Sequence, residues 1–333
     1  MFGLVSALGA VMQIFAGTSG FSYAEWKGRF YPDALPDAQM LRFYSDRLPT
    51  VEINNTFYQM PKAETVAGWR DSTPDAFLFA VKASRRITHQ KKLADVGEDV
   101  QRLFNVVDVL GAKVGPVLFQ LPPFLKKDLG VLQAFLAALP AGRRAALEFR
   151  HPSWFEDDVY AALTAANVAL VGGDLEEAEK SPPLVVTADF GYLRLRRMDY
   201  DPASIAEWGA RIAEQSWQTL YAYFKHEALG PMFAEALLAV VAGRPMADLS
   251  AVRASIAAPK PKSARGAAKS KSPESRASKA PALRISKAPA LRATKAPPRA
   301  SKTPAERASK APESRNSKAP ARNSKAPTKV RKP

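Results

Sequence analysis

The sequence predicts an α/β protein in which a TIM-type (β/α)8 barrel is followed by a disordered basic tail. Short apolar runs alternate with longer amphipathic stretches from residue 13 to residue 241, a pattern typical of repeated βα units. Eight such runs fall within this span of about 230 residues, which is close to the usual size of a (β/α)8 barrel. A doubly wound open sheet is the alternative, but no G-x-G-x-x-G follows the first run and no G-x-x-x-x-G-K-S/T occurs.

The predicted strands are runs of five or six mostly apolar residues, as expected for buried parallel strands. In chain order they are Gln13–Gly17, Thr50–Asn54, Phe77–Lys82, Pro116–Gln120, Arg144–Glu148, Val168–Gly172, Gly191–Arg196 and Thr219–Phe224.

The predicted helices lie between these strands, and we expect a helix after every strand. Several of them begin with Asp or Pro, which are common at helix N-termini. In chain order they are Asp37–Arg47, Lys62–Asp71, Val96–Gly111, Leu129–Leu139, Asp157–Ala166, Pro202–Glu214 and Pro231–Val241.

The charge of the chain divides it into two parts. The formal net charge is +16, yet residues 258–333 contain 22 Lys and Arg against three Glu, and no Phe, Tyr or Trp. Residues 1–257 therefore carry a net charge of −3 together with every aromatic residue. We predict an N-terminal extension over residues 1–12, the barrel over 13–245, a linker over 246–257 and the tail over 258–333.

The tail is a repeat of SKAP-type tetrads that recur every seven or eight residues. Each tetrad contributes one lysine, and these are Lys279, Lys287, Lys295, Lys302, Lys310, Lys318 and Lys325. A segment of this composition buries too little apolar surface to fold, so we expect it to be disordered. Its cations predict sequence-nonspecific binding to the phosphates of nucleic acid. The tail has no aromatic anchor or amphipathic helix, which favours nucleic acid over a membrane as the partner.

The absence of cysteine excludes a disulfide-stapled secreted fold and a cysteine-ligated metal site. The longest apolar run, residues 1–16, is shorter than the roughly 20 residues that span a bilayer. It also has no positively charged start of the kind that signal peptides have. We therefore expect a cytoplasmic protein that associates with the nucleoid through its tail.

Polar side chains gather at the C-terminal ends of the predicted strands, where (β/α)8 barrels place their active sites. Residues two apart on a strand share a face, so each strand can present its polar residues on one side. The predicted catalytic residues are Glu52, Lys82 and Glu148. The predicted substrate-binding residues are Asn54, Gln120, Arg150, Arg194, Arg196 and Lys225, with Tyr23 and Tyr58 from the aromatic loops. This mixture predicts a pocket for an unidentified anionic small molecule, with Glu52 or Glu148 placed for proton transfer.

Three alternatives compete with this interpretation. Arg150 can pair with Glu148 or Glu52 in a purely structural ion network. Glu52 and Glu148 can act as the two carboxylates of a glycosidase. Glu52, Glu148 and Asp174 can bind Mg²⁺ or Mn²⁺, although with only three histidines in the chain we expect no metal and no cofactor.

Five local strings occur in order along the chain. They are GTSGFSYAEWKGRFYP (Gly17–Pro32), FYSDRLPTVEINNTFYQMP (Phe43–Pro61), FLFAVKAS (Phe77–Ser84), LFQLPP (Leu118–Pro123) and LEFRHPSW (Leu147–Trp154). Together they resemble the domain of unknown function 72 family, also called YecE-like, over about Gln13 to Val241. The resemblance implies a TIM-type barrel and the motif residues Glu52, Asn54, Lys82, Gln120, Glu148 and Arg150, but no reaction.

The chain departs from this family at two strand ends. Many members have R-x-H-G at the seventh strand, where this chain has RLRR (Arg194–Arg197), and many have F-N-N-D at the eighth, where it has FKHE (Phe224–Glu227). The added positive charge favours a more anionic ligand. The tail is no part of the family and resembles the basic tails of linker histones and bacterial histone-like proteins.

Three functions remain open from the sequence. The first is an enzyme, with hydrolysis of an anionic or phosphoester substrate as the reaction class. The second is a nucleic-acid-associated protein whose tail tethers the barrel. The third is a catalytically silent barrel that serves as a scaffold or nucleoid-associated binding protein.

Overall fold

A computed structural model describes residues 3–5, 11–247 and 249 of the chain. Over these ranges, eight parallel strands close into a barrel that begins and ends at the pairing of the second strand with the ninth. The strands are β1 Gly3–Val5, β2 Val11–Ser19, β3 Thr50–Ile53, β4 Leu78–Lys82, β5 Val114–Gln120, β6 Ala145–Glu148, β7 Ala169–Asp174, β8 Phe190–Leu195 and β9 Thr219–Phe224. The predicted (β/α)8 fold is confirmed, and all eight predicted strands are present.

Seven α-helices surround the barrel in the described ranges. They are α1 Met40–Ser45, α2 Ala63–Asp71, α3 Gly97–Val107, α4 Leu129–Ala137, α5 Asp157–Ala165, α6 Pro202–Ala213 and α7 Gly230–Val241. Helix α6 begins with a capping box. The Asp201 side chain accepts a hydrogen bond from the backbone N–H of Ser204, and the Ser204 hydroxyl accepts one from the backbone N–H of Asp201. None of the described helices is long and apolar enough to cross a membrane.

The expectation of a helix after every strand is wrong between β7 and β8. This connection, described throughout, contains only a short 3-10 helix, Ala178–Lys180. Pro182 and Pro183 follow it after Ser181, and a proline disfavours helical backbone in the residue before it. The segment therefore crosses to β8 without an α-helix.

The N-terminal strand β1 pairs antiparallel with β2, with Leu4 opposite Met12. Strand β2 itself begins at Val11, two residues before the predicted start of the barrel. The predicted tail over residues 258–333, with its seven tetrad lysines, lies outside the described residues.

The inside of the barrel is filled by large side chains, mainly from two neighbouring strands, and by smaller side chains from other strands. Strands β8 and β9 contribute Tyr192, Tyr221 and Tyr223, all almost fully buried. Alanines on β4, β6 and β7 belong to the same inner cluster. Large and small residues thus interdigitate as in a close-packed core, so the barrel is solid below its mouth.

The loop after β2 packs onto its own barrel through its aromatic residues. Trp26, fully buried, contacts Tyr23, Phe30, Tyr31 and Tyr44 through ring centroids 4.8–6.4 Å apart. These contacts account for the aromatic cluster by packing and fix the loop beside the barrel mouth.

Candidate functional site

The C-terminal ends of the strands bring the predicted polar residues to one rim of the barrel. Register places Ser19 of β2 beside Glu52 of β3, and Gln120 of β5 beside Glu148 of β6. Lys82 ends β4, and Arg194 lies near the end of β8. Because parallel strands finish at the same edge of a barrel, six strands contribute to one cluster.

Arg194 forms the centre of this cluster and is 5 % exposed. One terminal nitrogen donates to Oε1 of Glu52 at 2.8 Å, and the other donates to Oε2 of Glu148 at 2.6 Å. The second nitrogen also lies 3.3 Å from Oε1 of Gln120. A single buried guanidinium thus joins both predicted catalytic carboxylates.

Glu52 is fully buried, and donors from this chain reach both of its oxygens. Oε1 accepts hydrogen bonds from Ser19, Asn54 and Arg194, while Oε2 accepts one from the Tyr192 hydroxyl. Burial alone would raise the pKa of Glu52, but the Arg194 charge and the hydrogen bonds from Ser19 and Tyr192 lower it below its ordinary value. The carboxylate is therefore ionised at neutral pH.

Glu148, 5 % exposed, contacts three arginines. Besides Arg194, the Arg196 guanidinium reaches both of its oxygens at 2.8 and 3.0 Å, and Nε of Arg150 donates to Oε1 at 3.0 Å. Burial acts to raise the pKa of Glu148, yet the three positive charges hold it far below its usual range. This carboxylate therefore also remains ionised, and it holds the guanidinium groups of the three arginines in place.

Lys82 has a different environment from the arginines. Its Nζ donates to Oε1 of Gln120 at 2.8 Å and lies 4.5 Å from the centre of the Phe57 ring. Burial and the nearby Arg194 charge lower the pKa of Lys82 to about 8, although Glu52 and Glu148 act in the opposite direction. The mouth therefore contains an amine that is easily deprotonated.

The outer part of the mouth is positively charged. Lys225 is exposed just beyond β9, and within the described ranges its ammonium forms neither a hydrogen bond nor an ion pair. Partial burial and the charges of Arg196, Arg194 and Arg150 lower the pKa of Lys225. Among described residues, Nε of Arg194 and of Arg196 has no acceptor although it is buried.

The two aromatic candidates occupy different places. The Tyr23 hydroxyl donates to the Ser19 carbonyl at 2.6 Å, which brings it to the rim. Burial and the nearby negative charge of Glu52 raise the pKa of Tyr23 to about 12. Tyr58 is 65 % exposed and meets only the edge of Phe57 among the ring contacts of the described residues.

The carboxylate metal site predicted as an alternative does not form. Asp174 lies on the outward face of β7, where its oxygens accept from Tyr200, Trp208 and the Arg196 backbone. His151 bonds to Ser153 in its own turn. Across the described residues, no three His, Cys, Asp or Glu side chains are grouped to hold a metal ion.

The sequence analysis did not identify three residues of the site. They are Ser19 and Tyr192, which donate hydrogen bonds to Glu52, and Phe57, which contacts Lys82. Tyr192 precedes Arg194 by two residues and so shares its face of β8, a relation that strand periodicity could have revealed. Ser19 is the last residue of β2 and pairs in register with Glu52 of β3, so its place at the rim could have been inferred from the strand ends. The sequence carries no signal for the contact between Phe57 and Lys82, because it depends on how the loop after β3 folds.

Comparison with known proteins finds one family along most of the chain. Residues 15–255 match the family described as "Protein of unknown function DUF72". The "UPF0759 protein YecE" of Escherichia coli (strain K12) is 34 % identical over 116 residues, which cover 34 % of this chain and 43 % of that protein. The "UPF0759 protein YunF" of Bacillus subtilis (strain 168) is 29 % identical over 138 residues, 39 % of this chain and 49 % of that protein. The matched stretches thus span less than half the length of these relatives.

Two solved structures share the fold. A DUF72 family protein from Thermotoga maritima aligns with a TM-score of 0.59 and 24 % identity, over 68 % of this chain and 97 % of that one. A DUF72 family protein from Enterococcus faecalis aligns with a TM-score of 0.58 and 19 % identity, over 71 % of this chain and 98 % of that one. At these identities the likeness supports the barrel fold and nothing further.

Proposed function

The chain belongs to the DUF72 family of proteins of unknown function, and from that premise we propose that its barrel mouth binds a small anionic ligand bearing a phosphate or carboxylate group. One observation carries this proposal. Five cationic side chains share the mouth with two buried carboxylates, and the arginines already neutralise both. Positive charge therefore remains for a ligand.

The distribution of ion pairs supports a ligand at the outer part of the mouth. Arg194 lies between Glu52 and Glu148, whereas Arg150 and Arg196 are added to Glu148 alone. One carboxylate thus faces three guanidinium groups. Lys225 adds a further cation, and the side chain of Arg150 is 34 % exposed, so both are accessible to solvent.

The lysines of the mouth are destabilised as cations by burial and by their arginine neighbours. The pKa values of Lys82 and Lys225 both lie below their ordinary value, first through burial and then through the nearby guanidinium charges. A bound anion would relieve this repulsion, and its oxygens could accept hydrogen bonds from the exposed Lys225 ammonium. These features favour an anion over a neutral or cationic ligand.

We limit the proposal to binding. If Glu52 or Glu148 were the base of a hydrolase, it would have to be free to take a proton from water, and a glycosidase would need one of the two to be protonated. All four oxygens of Glu52 and Glu148 accept hydrogen bonds from this chain, and the pKa of each group is lowered. We therefore propose that Glu52 and Glu148 position the arginines, together with Asn54, Gln120 and Tyr23 around them.

Inorganic phosphate tests the proposal through the unfolding temperature, because only binding that favours the folded state raises it. Phosphate should stabilise the unaltered protein and the Lys126→Gln control, in which an exposed lysine that takes no part in the ion pairs of the mouth is neutralised. The double variant Arg150→Gln/Lys225→Gln should lose most of this effect. Equal stabilisation of all three proteins would refute an anion site in the mouth.

For the C-terminal segment we propose nonspecific binding to nucleic acid, with nucleoid association as its consequence. The support is its composition: 22 Lys and Arg against three Glu, no aromatic residue, and a regular spacing of the tetrad lysines. Such a chain can follow a phosphate backbone but has no aromatic ring to stack on bases. A protein truncated after Ala257 should lose the steep salt-dependent DNA binding of the full chain. Equal binding by both would move the nucleic-acid site to the barrel.

A further inference from the structure

We propose that Lys82 is a nucleophilic amine that forms an imine with an anionic aldehyde or ketone bound in the barrel mouth. The proposal rests on the anion site proposed above and names the class of its ligand. The basis is the distribution of contacts in the mouth. The arginines form the ion pairs with Glu52 and Glu148, whereas the Lys82 amine, at the end of β4, contacts only the neutral side chains of Gln120 and Phe57 among the described residues.

The Lys82 amine is held in place without being neutralised. Its Nζ donates to the amide oxygen of Gln120 and lies over the face of the Phe57 ring. Within the described residues, no carboxylate oxygen lies within the 4.0 Å of an ion pair. The Gln120 oxygen also receives a hydrogen bond from Arg194, so the amine shares its acceptor with a permanent cation. These partners orient the amine but stabilise its charged form poorly.

The charges that act on Lys82 come from side chains at the ends of three other strands, β3, β6 and β8. Arg194 of β8 and Arg150 after β6 disfavour its proton, while Glu52 of β3 and Glu148 of β6 favour it. Burial has the largest effect, and the resulting pKa is about 8. About a tenth of the amine is then neutral at pH 7, against well under a thousandth for an ordinary lysine. Desolvated lysines of this kind are the ones that proteins use as nucleophiles toward carbonyl groups.

The surroundings also suit the remainder of such a substrate. Lys82 is half-buried at the rim and therefore remains accessible from the mouth. Arg150 acts on Lys82 electrostatically and is partly exposed. A carboxylate or phosphate held by Arg150 can thus bring an attached carbonyl carbon toward Nζ. The anionic group gives the site its selectivity among carbonyl compounds.

The reaction needs no oxidant, reductant or metal. The Nζ lone pair forms a bond to the carbonyl carbon while the π electrons of the carbonyl move to its oxygen, giving a carbinolamine. The two protons of the neutral amine then leave with that oxygen as water, and the C=N bond of the imine takes the place of the C=O bond. Amine and carbonyl compound yield imine and water, so atoms and electrons balance.

Reductive trapping tests the proposal on the full chain. The protein is mixed at pH 7 with glyoxylate, a small anionic aldehyde, and sodium cyanoborohydride, which reduces an imine to a stable secondary amine. Peptide mass mapping then measures the adduct at each lysine over time. Lys82 should be labelled about ten-fold faster or more than the exposed Lys62 and Lys126 in the same sample. Equal labelling of the three lysines would overturn the proposal.

Gln120→Glu is the matched variant. It changes an amide to a carboxylate of the same shape beside Nζ, so the fold should persist while the ammonium form of Lys82 is stabilised. Labelling of Lys82 should fall several-fold at pH 7 relative to the unaltered protein, and this difference between the two proteins should shrink as the pH is raised toward 9, where more of the amine is neutral in both. Unchanged labelling at pH 7 would show that the neutral amine is not the reacting form, and the proposal would fail.

Two further measurements separate this proposal from the anion site beneath it. Glycolaldehyde, a neutral aldehyde, replaces glyoxylate in one, and inorganic phosphate competes with glyoxylate in the other. Preference for glyoxylate and protection by phosphate support both proposals. Rapid labelling of Lys82 by both aldehydes without protection leaves the nucleophile standing and removes the anion site. If phosphate raises the unfolding temperature but Lys82 is not labelled, the anion site stands and the nucleophile proposal is refuted.

Discussion

The hydroxyl of Tyr192 donates to Oε2 of the fully buried Glu52 at 2.8 Å. Arg194, two residues later on the same face of β8, donates to the other oxygen of the same carboxylate. One strand therefore supplies a donor to each oxygen of Glu52, from inside the barrel and from its rim. The carboxylate of Glu52 thus connects the packed interior of the barrel to its mouth. The position of Arg194 is fixed by this contact with a buried residue of the core.

Replacing Arg194 with leucine should destabilise the protein by about 3–5 kcal/mol, because two buried carboxylates lose their shared counter-charge. Urea unfolding measures the change. Arg143→Leu is the control, since Arg143 pairs with Asp108 where both side chains are more than one third exposed, and it should cost less than about 1 kcal/mol. A loss at Arg194 no larger than that of the control would contradict the central role assigned to this side chain.

The acid stability of the fold should depend on Glu148. Its pKa is lowered in the folded state, so its contribution to stability is complete above the ordinary glutamate pKa of about 4.3 and is lost as the pH falls below it. Glu148→Gln should therefore flatten the decline of unfolding free energy with falling pH below about 4.3. The measurement is urea unfolding between pH 3 and pH 6, with the exposed Glu98→Gln as control. An unchanged slope in Glu148→Gln would argue against its pairing with three arginines.

The fold could be predicted because its signals are local. Each barrel strand is a compact apolar run in the sequence. The predicted strand Thr219–Phe224 coincides with β9, and the other seven predicted strands differ from the observed ones by at most two residues at either end. The helix expected between β7 and β8 is absent because Pro182 and Pro183 disfavour helical backbone before them. Local backbone chemistry overrode the repeat at that point.

The membership of the site followed from strand ends, but its internal bonding did not. The sequence could assign Glu52, Glu148 and Arg194 to one rim, since parallel strands end together. It could not indicate that Arg194 would form ion pairs with both Glu52 and Glu148, because that depends on the distances across the barrel. For the same reason Asp174 was wrongly grouped with these residues: whether it faces in or out depends on the face of β7 that enters the core.

Lys82→Met should stabilise the protein at pH 7. Lys82 has a pKa of about 8 in the fold against about 10.4 when unfolded, so the unfolded chain binds more protons between these values and stability rises with pH across this window. Methionine removes the ionisation and suits the half-buried site. We expect a gain of about 1–2 kcal/mol at pH 7 that shrinks toward pH 10.

Urea unfolding at pH 7, 8.5 and 10 provides the test for Lys82→Met. Lys126→Met, at an exposed position, should change stability by a similar small amount at every pH. A Lys82→Met effect that is destabilising at pH 7, or that does not vary with pH, would show that the amine is not destabilised as a cation.

The tetrad lysines of the C-terminal segment should determine how DNA binding responds to salt. Each phosphate contact contributes about −0.9 to the slope of log K against log salt concentration, because it releases a condensed counterion. Changing Lys279, Lys287, Lys295, Lys302, Lys310, Lys318 and Lys325 together to glutamine should reduce the slope by up to about six, while changing all seven to arginine should leave it unaltered. Titration with two duplexes of unrelated sequence should give the same slopes, since phosphates carry no sequence information. If the glutamine variant retained the full slope, the contacts would have to come from other cations, and the basic mouth of the barrel would be the next region to test.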